Sequence, residues 1–147
     1  MNTIISKPWG EFEQFTLNEK TTVKILRVKP HSSLSLQRHK KRREFWYVLK
    51  GSGYVHLGPH HSHICFSKPG VTFNIPPGAE HRLTAEEDAV EVLEISYGHF
   101  DENDIERLED NYNRVTKLVP KPKDSTRNKT PKLIKKRKRS KPLRWLW

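Results

Sequence analysis

The chain has 147 residues, and its 28 lysines and arginines against 17 aspartates and glutamates give a formal charge of +11. That length suits one domain, and without a run of about 20 apolar residues no membrane-spanning helix is expected. A single cysteine, Cys65, excludes an internal disulfide framework and a Cys-rich zinc module.

The charge is unevenly placed. Residues 115–147 hold 13 of the basic residues and one acid, Asp124, whereas residues 1–114 are almost neutral. Any partner argument from charge therefore belongs to the tail. The first residues lack a basic region followed by an apolar stretch, so no secretory leader is expected and a cytoplasmic or nuclear compartment is the default.

Short strands separated by turns fill residues 1–114. Thr21 to Val28 alternates and contains Val23, Ile25 and Leu26. Glu44 to Leu49 carries Phe45, Trp46, Tyr47 and Val48. Tyr54 to Leu57, His63 to Phe66, Val71 to Ile75 and Val90 to Tyr97 follow. Lys50-Gly51-Ser52-Gly53, Leu57-Gly58-Pro59, Lys68-Pro69-Gly70 and Pro76-Pro77-Gly78 separate them. Proline presets φ there and glycine accepts positive φ. Strands at intervals near ten residues predict an all-β sandwich or barrel. Cys65 is expected as a small buried residue of one strand. One helix is expected after the strands. Asp101 caps it, Glu102 and Asp104 complement its dipole, and Ile105, Leu108 and Tyr112 form an apolar stripe that ends near Arg114. Residues 115–147, rich in Pro, Lys and Arg, are expected to be a flexible basic extension.

Two blocks carry the chemistry. Gln37 and His39 are two apart, so on a strand they share a face. Glu44 begins the aromatic strand, and His81 follows the Pro-Pro-Gly turn. Two imidazoles, an amide and one carboxylate make a ligand set for one divalent cation. This set leaves about one net positive charge and open coordination positions, and it fits Zn, Mn, Co or Fe. A lone histidine on a strand is more often a satisfied or exposed one, and the joint spacing with the glycines is what favours the metal. The histidines His60, His61 and His63 read better as an exposed hairpin loop than as a second site.

The same residues resemble the two cupin motifs, G-x5-H-x-H-x3,4-E-x6-G and G-x5-P-x-G-x2-H-x3-N. Here they stand as Gln37-x-His39-x4-Glu44-x6-Gly51 and Gly70-x5-Pro76-x-Gly78-x2-His81. His31 replaces the first glycine and Ala85 the last asparagine. Lys7-Pro8-Trp9-Gly10, Arg42-x-Glu44-x-Trp46, His81-Arg82-Leu83 and Asp104-Ile105-x-Arg107-x-x-Asp110-x-Tyr112-x-Arg114 look more narrowly like type II phosphomannose isomerase. That family forms the C-terminal cupin domain of bifunctional isomerase/guanylyltransferases. The resemblance covers residues 5–114. It implies a double-stranded β-helix (a cupin, or jelly-roll, barrel) with a metal at Gln37, His39, Glu44 and His81. It also implies a homodimer, by analogy. Lys40 and Lys41 replace the family's histidine stretch. No Gly-rich nucleotide loop precedes the barrel, so guanylyl transfer is not expected.

The implied reaction interconverts mannose 6-phosphate and fructose 6-phosphate through an enediolate. It needs an electrophile, a base and a cationic phosphate site. Glu44 is the nearest carboxylate for ligand or base, and Glu80 is a second, more exposed one. Arg42 and Arg82 are the first choices for phosphate, because a guanidinium grips two oxygens. Lys7, Lys24 and Lys40 are secondary choices. Trp9, Trp46 and Tyr47 offer flat faces to a sugar, although core packing is their commoner fate. The rival readings are a non-catalytic cupin that binds sugar or nucleic acid, and another metal-dependent cupin activity.

Lys135, Lys136, Arg137, Lys138 and Arg139 form a dense cationic run. It is compatible with nuclear import, with an RNA-binding arm or with an acidic lipid surface. The terminal Trp145 and Trp147 add indoles that stack on bases or sit at an interface. A solvated tail with no partner carries equal weight.

Overall fold

The computed structural model describes residues 3–58 and 62–114. The basic run Lys135–Arg139, the terminal tryptophans, His60 and His61 lie outside the described residues, and so does the expected extension 115–147.

Eleven strands are present and no helix among the described residues. They are β1 (Thr3–Lys7), β2 (Gly10–Gln14), β3 (Thr21–Val28), β4 (Leu36–Arg38), β5 (Arg42–Lys50), β6 (Gly53–Leu57), β7 (Ser62–Phe66), β8 (Thr72–Ile75), β9 (His81–Ala85), β10 (Val90–Gly98) and β11 (Glu106–Glu109). A hairpin pairs β1 with β2. The body consists of a four-stranded sheet, β3-β10-β5-β8, and a five-stranded sheet, β11-β4-β9-β6-β7, and every strand pairing is antiparallel. This is the cupin double-stranded β-helix.

Period-two alternation assigns the faces. On β10, Val90, Val92, Glu94 and Ser96 point inward. On β5, Arg42, Glu44, Trp46 and Val48 do the same. Trp46, Val48, Val55, Leu83, Val90 and Val92 are fully buried and join both sheets in one core, which also takes Phe66, Phe73 and Ile75. Each such side chain contributes roughly 1.5–3 kcal/mol by leaving water. The opposite face of β5 and β10 is covered separately, where Phe45, Ile95 and Tyr97 pack with Phe15 and Tyr47. The apolar core thus fills one end of the barrel, and the polar residues of the same strands line the other.

Two expectations need correction. The stretch 101–114 is not a helix. Asp101 Oδ1 accepts the Asn103 N–H at 2.9 Å, and the Asp101 carbonyl accepts the Asp104 N–H at 3.0 Å, so the presumed cap closes a tight turn instead. Residues 106–109 then run along the free edge of β4, pairing Glu106 with Arg38 and Arg107 with Gln37. The Arg38 guanidinium holds Glu106 through two hydrogen bonds of 2.9 Å. Edge pairing outweighs a helix whose stripe would have held only three apolar residues, and Tyr112 is left exposed. Cys65 is also exposed rather than buried, because β7 is an edge strand that buries only Phe66. On β3 the expected alternation is present. Val23 and Ile25 face outward, while Lys24 and Leu26 face the barrel mouth.

The glycine of the first motif has a steric cause. Gly51 has φ of +89°, and a Cβ there would meet the Ala89 carbonyl. Gly58 has a similar φ of +82° but faces open space. Gly51→Ala should therefore cost about 3 kcal/mol of unfolding free energy, against about 1 kcal/mol for Gly58→Ala. Urea denaturation of the two variants checks this, and equal losses would refute the steric account.

Candidate metal centre

Three strands from the two sheets aim polar side chains at one point. Gln37 on β4 lies directly opposite His81 on β9, with Nε2 to Nε2 at 3.5 Å. Glu44 comes across from β5. Its Oε1 stands 3.3 Å from His39 Nε2 and its Oε2 stands 3.5 Å from His81 Nε2. The ligand atoms of His39, Glu44 and His81 all lie within 4.8 Å of one another. His39 and Glu44 are buried, and His81 is inaccessible.

Local structure fixes each imidazole. His39 leaves the end of β4, where its Nδ1 donates to the Asp104 carbonyl at 2.8 Å. The Asp104 carboxylate takes the Lys40 and Lys41 N–H groups at 3.2 and 2.8 Å, which locks that loop. The Gly78 N–H donates to the His39 carbonyl at 2.6 Å, and this joins the turn of the second motif to the ligand of the first. His81 Nδ1 donates to the Ala79 carbonyl at 3.0 Å, and Trp46 packs against its ring edge-on at 5.5 Å. Both imidazoles therefore turn an Nε2 lone pair toward Glu44.

Electrostatics agree with that tautomer. Burial pushes both imidazoles below their ordinary 6.5, His81 to about 4, despite the nearby Glu44 charge. Both are neutral at neutral pH, as metal ligands must be. Glu44 Oε2 is buried and has no hydrogen-bond donor, a costly state for a carboxylate oxygen. Gln37 Oε1 accepts from Ser35 Oγ at 2.8 Å. Rotating that amide would turn Oε1 toward the cluster and leave its NH2 to donate to the same hydroxyl. The donor set thus fits one divalent cation: two imidazole lone pairs, an orphaned carboxylate oxygen and an amide with a supported alternative orientation.

Arg42 belongs to the cluster but not as a surface phosphate grip. It is buried, its Nε donates to Glu44 Oε1 at 2.8 Å, and its terminal nitrogen donates to His39 Nε2 at 3.0 Å. A cation would compete with it for the His39 lone pair. Arg82 does not join the cluster. It follows His81 on β9, so it points to the other face, where it pairs with Glu109 at 3.0 Å. Lys7 is exposed on β1, and Lys40 is exposed on its loop. Glu80 stands 3.7 Å from Arg38. Lys24 does reach the mouth, over the Phe100 ring at 4.0 Å and 3.4 Å from Glu102. Trp46 is core, Tyr47 packs on Phe15, and Trp9 is exposed against Phe12.

A cavity of about 150 Å³ opens beside the cluster, lined in part by Lys24, Gln37, Arg42, Glu44, Arg107 and Arg114. Glu94 and Glu102 lie in the same wall. Sequence reading missed Glu94, although β10 alternation with Val90 and Val92 places it inside. It also missed Asp104 as the anchor of His39. A larger hollow of about 580 Å³, between the Lys50–Ser52 and Asp88–Ala89 loops, holds no comparable cluster among the described residues.

The family described as mannose-6-phosphate isomerase C-terminal matches residues 1–110. The chain belongs to this family. Its relatives include the xanthan biosynthesis protein XanB of Xanthomonas campestris pv. campestris, 33% identical over 113 residues, with 76% of this chain and 24% of XanB covered. The alginate biosynthesis protein AlgA of Pseudomonas aeruginosa is 34% identical, with 76% and 23% covered. The mannose-1-phosphate guanylyltransferase ManC of Salmonella typhimurium is 31% identical, with 78% and 24% covered. The chain thus spans about a quarter of the length of these family members. Among solved structures, oxalate decarboxylase of Bacillus subtilis superposes with a TM-score of 0.52 at 26% identity, over 61% of this chain and 24% of that one. The capsular polysaccharide assembling protein CapF of Staphylococcus aureus gives 0.53 at 18% identity, over 75% and 33%, a likeness of fold.

One titration follows from the site. Burial, with the Glu44 charge second, raises Glu94 to about 7 from its ordinary 4.5, against the pull of Lys24, Arg42 and the Ser96 hydroxyl. The unfolded chain releases this proton first, so Glu94 makes the native state progressively less stable as pH rises from 4.5 to about 7. Glu94→Gln removes that penalty. On metal-stripped protein its stability advantage over wild type should grow across this window, toward on the order of 3 kcal/mol. Paired thermal melts at pH 4.5 and 7.5 measure it, and a pH-independent gap would contradict the account.

Proposed function

We propose that the chain is a metal-dependent sugar-phosphate isomerase that interconverts mannose 6-phosphate and fructose 6-phosphate. The observation that carries this reading is the convergence of His39, Glu44 and His81 beside a polar cavity, in a member of the mannose-6-phosphate isomerase C-terminal family.

Gln37, His39, Glu44 and His81 would hold one divalent ion, with Zn, Mn, Co and Fe all suited to an N/O donor set without thiolate. When bound, such an ion supplies a Lewis acid for the oxygens on C1 and C2 of the open-chain sugar. The chain's own groups do the rest. The 150 Å³ cavity admits the reacting end of the sugar and leaves its phosphate at the mouth. Lys24, Arg107 and Arg114 border that mouth and are the candidates for the phosphate. Arg42, fixed between Glu44 and His39, holds the Glu44 carboxylate in place and adds positive charge beside the enediolate. Leu26, Leu34 and Ile105 in the cavity wall keep bulk water from the intermediate.

The test is interconversion of the two sugar phosphates by purified protein with its metal content measured. Activity should vanish with chelator and return with a divalent ion. His39→Ala and His81→Ala should each lose the metal and at least about a hundredfold in kcat/KM. Arg82→Ala should stay within about threefold of wild type, because its side chain points away from the site. A metal-loaded but inert wild type would instead favour a sugar-binding module that retains the barrel.

A further inference from the structure

Three carboxylates line the cavity, and two of them are already committed. Glu44 has one oxygen held by Arg42 at 2.8 Å and the other beside His81. Glu102 is exposed and pairs with Lys24 at 3.4 Å. The third, Glu94, is only 5% exposed. Its side chain shares the inner face of β10 with Ser96, which stands opposite Glu44 in register. The Ser96 hydroxyl donates to Glu94 Oε1 at 3.3 Å. No ion pair joins Glu94 to any described residue, because the neighbouring cations Lys24 and Arg42 are engaged with Glu102 and Glu44. Val90 and Val92 precede it on the same face, so an apolar side chain would have suited the strand. A buried carboxyl without a cation is destabilising wherever it has no task.

We propose that Glu94 is the catalytic residue that carries the proton between C2 and C1 of the sugar phosphate. The assignment rests on the isomerase reading above. Its carboxylate takes the C2 proton. The C2–H electron pair becomes the C1=C2 bond, and the C1 carbonyl pair moves onto O1. The hydroxyl proton on O2 passes to O1. Glu94 then returns its proton to C1 as the O2 lone pair forms the C2 carbonyl. Every atom is conserved, and no oxidant or reductant is required. Held in the cavity wall by the Ser96 hydroxyl on one oxygen, Glu94 keeps its second oxygen for a proton taken and returned within a turnover. Glu44 is less suited, because Arg42 holds one of its oxygens at 2.8 Å and the other, which has no donor, is the one that would take the cation.

The experiment compares full-length wild type with Glu94→Gln and Glu94→Ala. The Gln variant should fold at least as well as wild type at pH 7, since it removes a buried charge. It should retain metal content and KM within about threefold, while kcat falls at least about a hundredfold. Loss of deuterium from C2-labelled mannose 6-phosphate to solvent should fall with it. Formate, a small carboxylate, should restore part of the turnover of the Ala variant and none of the Gln variant's. A Gln variant with kcat within threefold of wild type overturns the assignment, and so does one whose activity falls only in step with its metal content. A wild type that turns over neither sugar phosphate removes the isomerase reading itself, and this assignment with it. An active wild type beside an equally active Gln variant removes this assignment alone.

Discussion

The barrel depends on a carboxylate placed where two sheets meet. Glu44 comes from the four-stranded sheet, while its neighbours Gln37 and His81 come from the five-stranded one. A charge buried in low dielectric has to be compensated, and removing one partner of such a group costs far more than a surface pair contributes. Arg42 supplies that compensation to one oxygen at 2.8 Å, while the other, 3.5 Å from the neutral His81 ring, has no donor and is left for a cation. The apolar end of the barrel, built on Trp46, Val48, Leu83 and Val92, makes this arrangement stringent. It seals one side of the cluster, so water cannot substitute for a missing partner there.

The same constraint explains why polar and apolar ends alternate along single strands. On β5 the inward positions run Arg42, Glu44, Trp46, Val48, and on β10 they run Val90, Val92, Glu94, Ser96. The strands are antiparallel, so the polar half of one lies beside the polar half of the other. Two carboxylates, an arginine and a hydroxyl are gathered at one end without any loop. A site built on strands in register is held more firmly than one built on loops.

Much of this was legible in the residues and some was not. The turns were readable because Gly51, Gly70 and Gly78 hold positive φ that other residues adopt only with strain. The quartet was readable because motif spacing encodes both strand alternation and the turns between strands. Arg82 shows the limit of composition. Its neighbour His81 points in, so alternation already assigned Arg82 to the other face, and charge alone was a poor guide. Glu94 carried no motif. Only its register opposite β5 brings it near Glu44, and a single strand's sequence does not contain that register. Asp104 likewise acts through a contact to His39 that spans 65 positions in the chain.

The segment after Asp101 shows how a local misreading bears on function. Its capping residue and three spaced apolar groups describe a short helix, yet the edge of β4 offers unpaired backbone groups that a strand satisfies at once. As β11, the segment sets Arg107 directly opposite Gln37. It also lets the following turn bring Arg114 to the cavity, where Asp110 holds its guanidinium at 2.8 Å. A helix would have carried those two arginines around its axis rather than along the mouth. The basic rim proposed to hold the phosphate is therefore a consequence of edge pairing, and the candidate metal ligands and that rim are linked through the same short strand, β4.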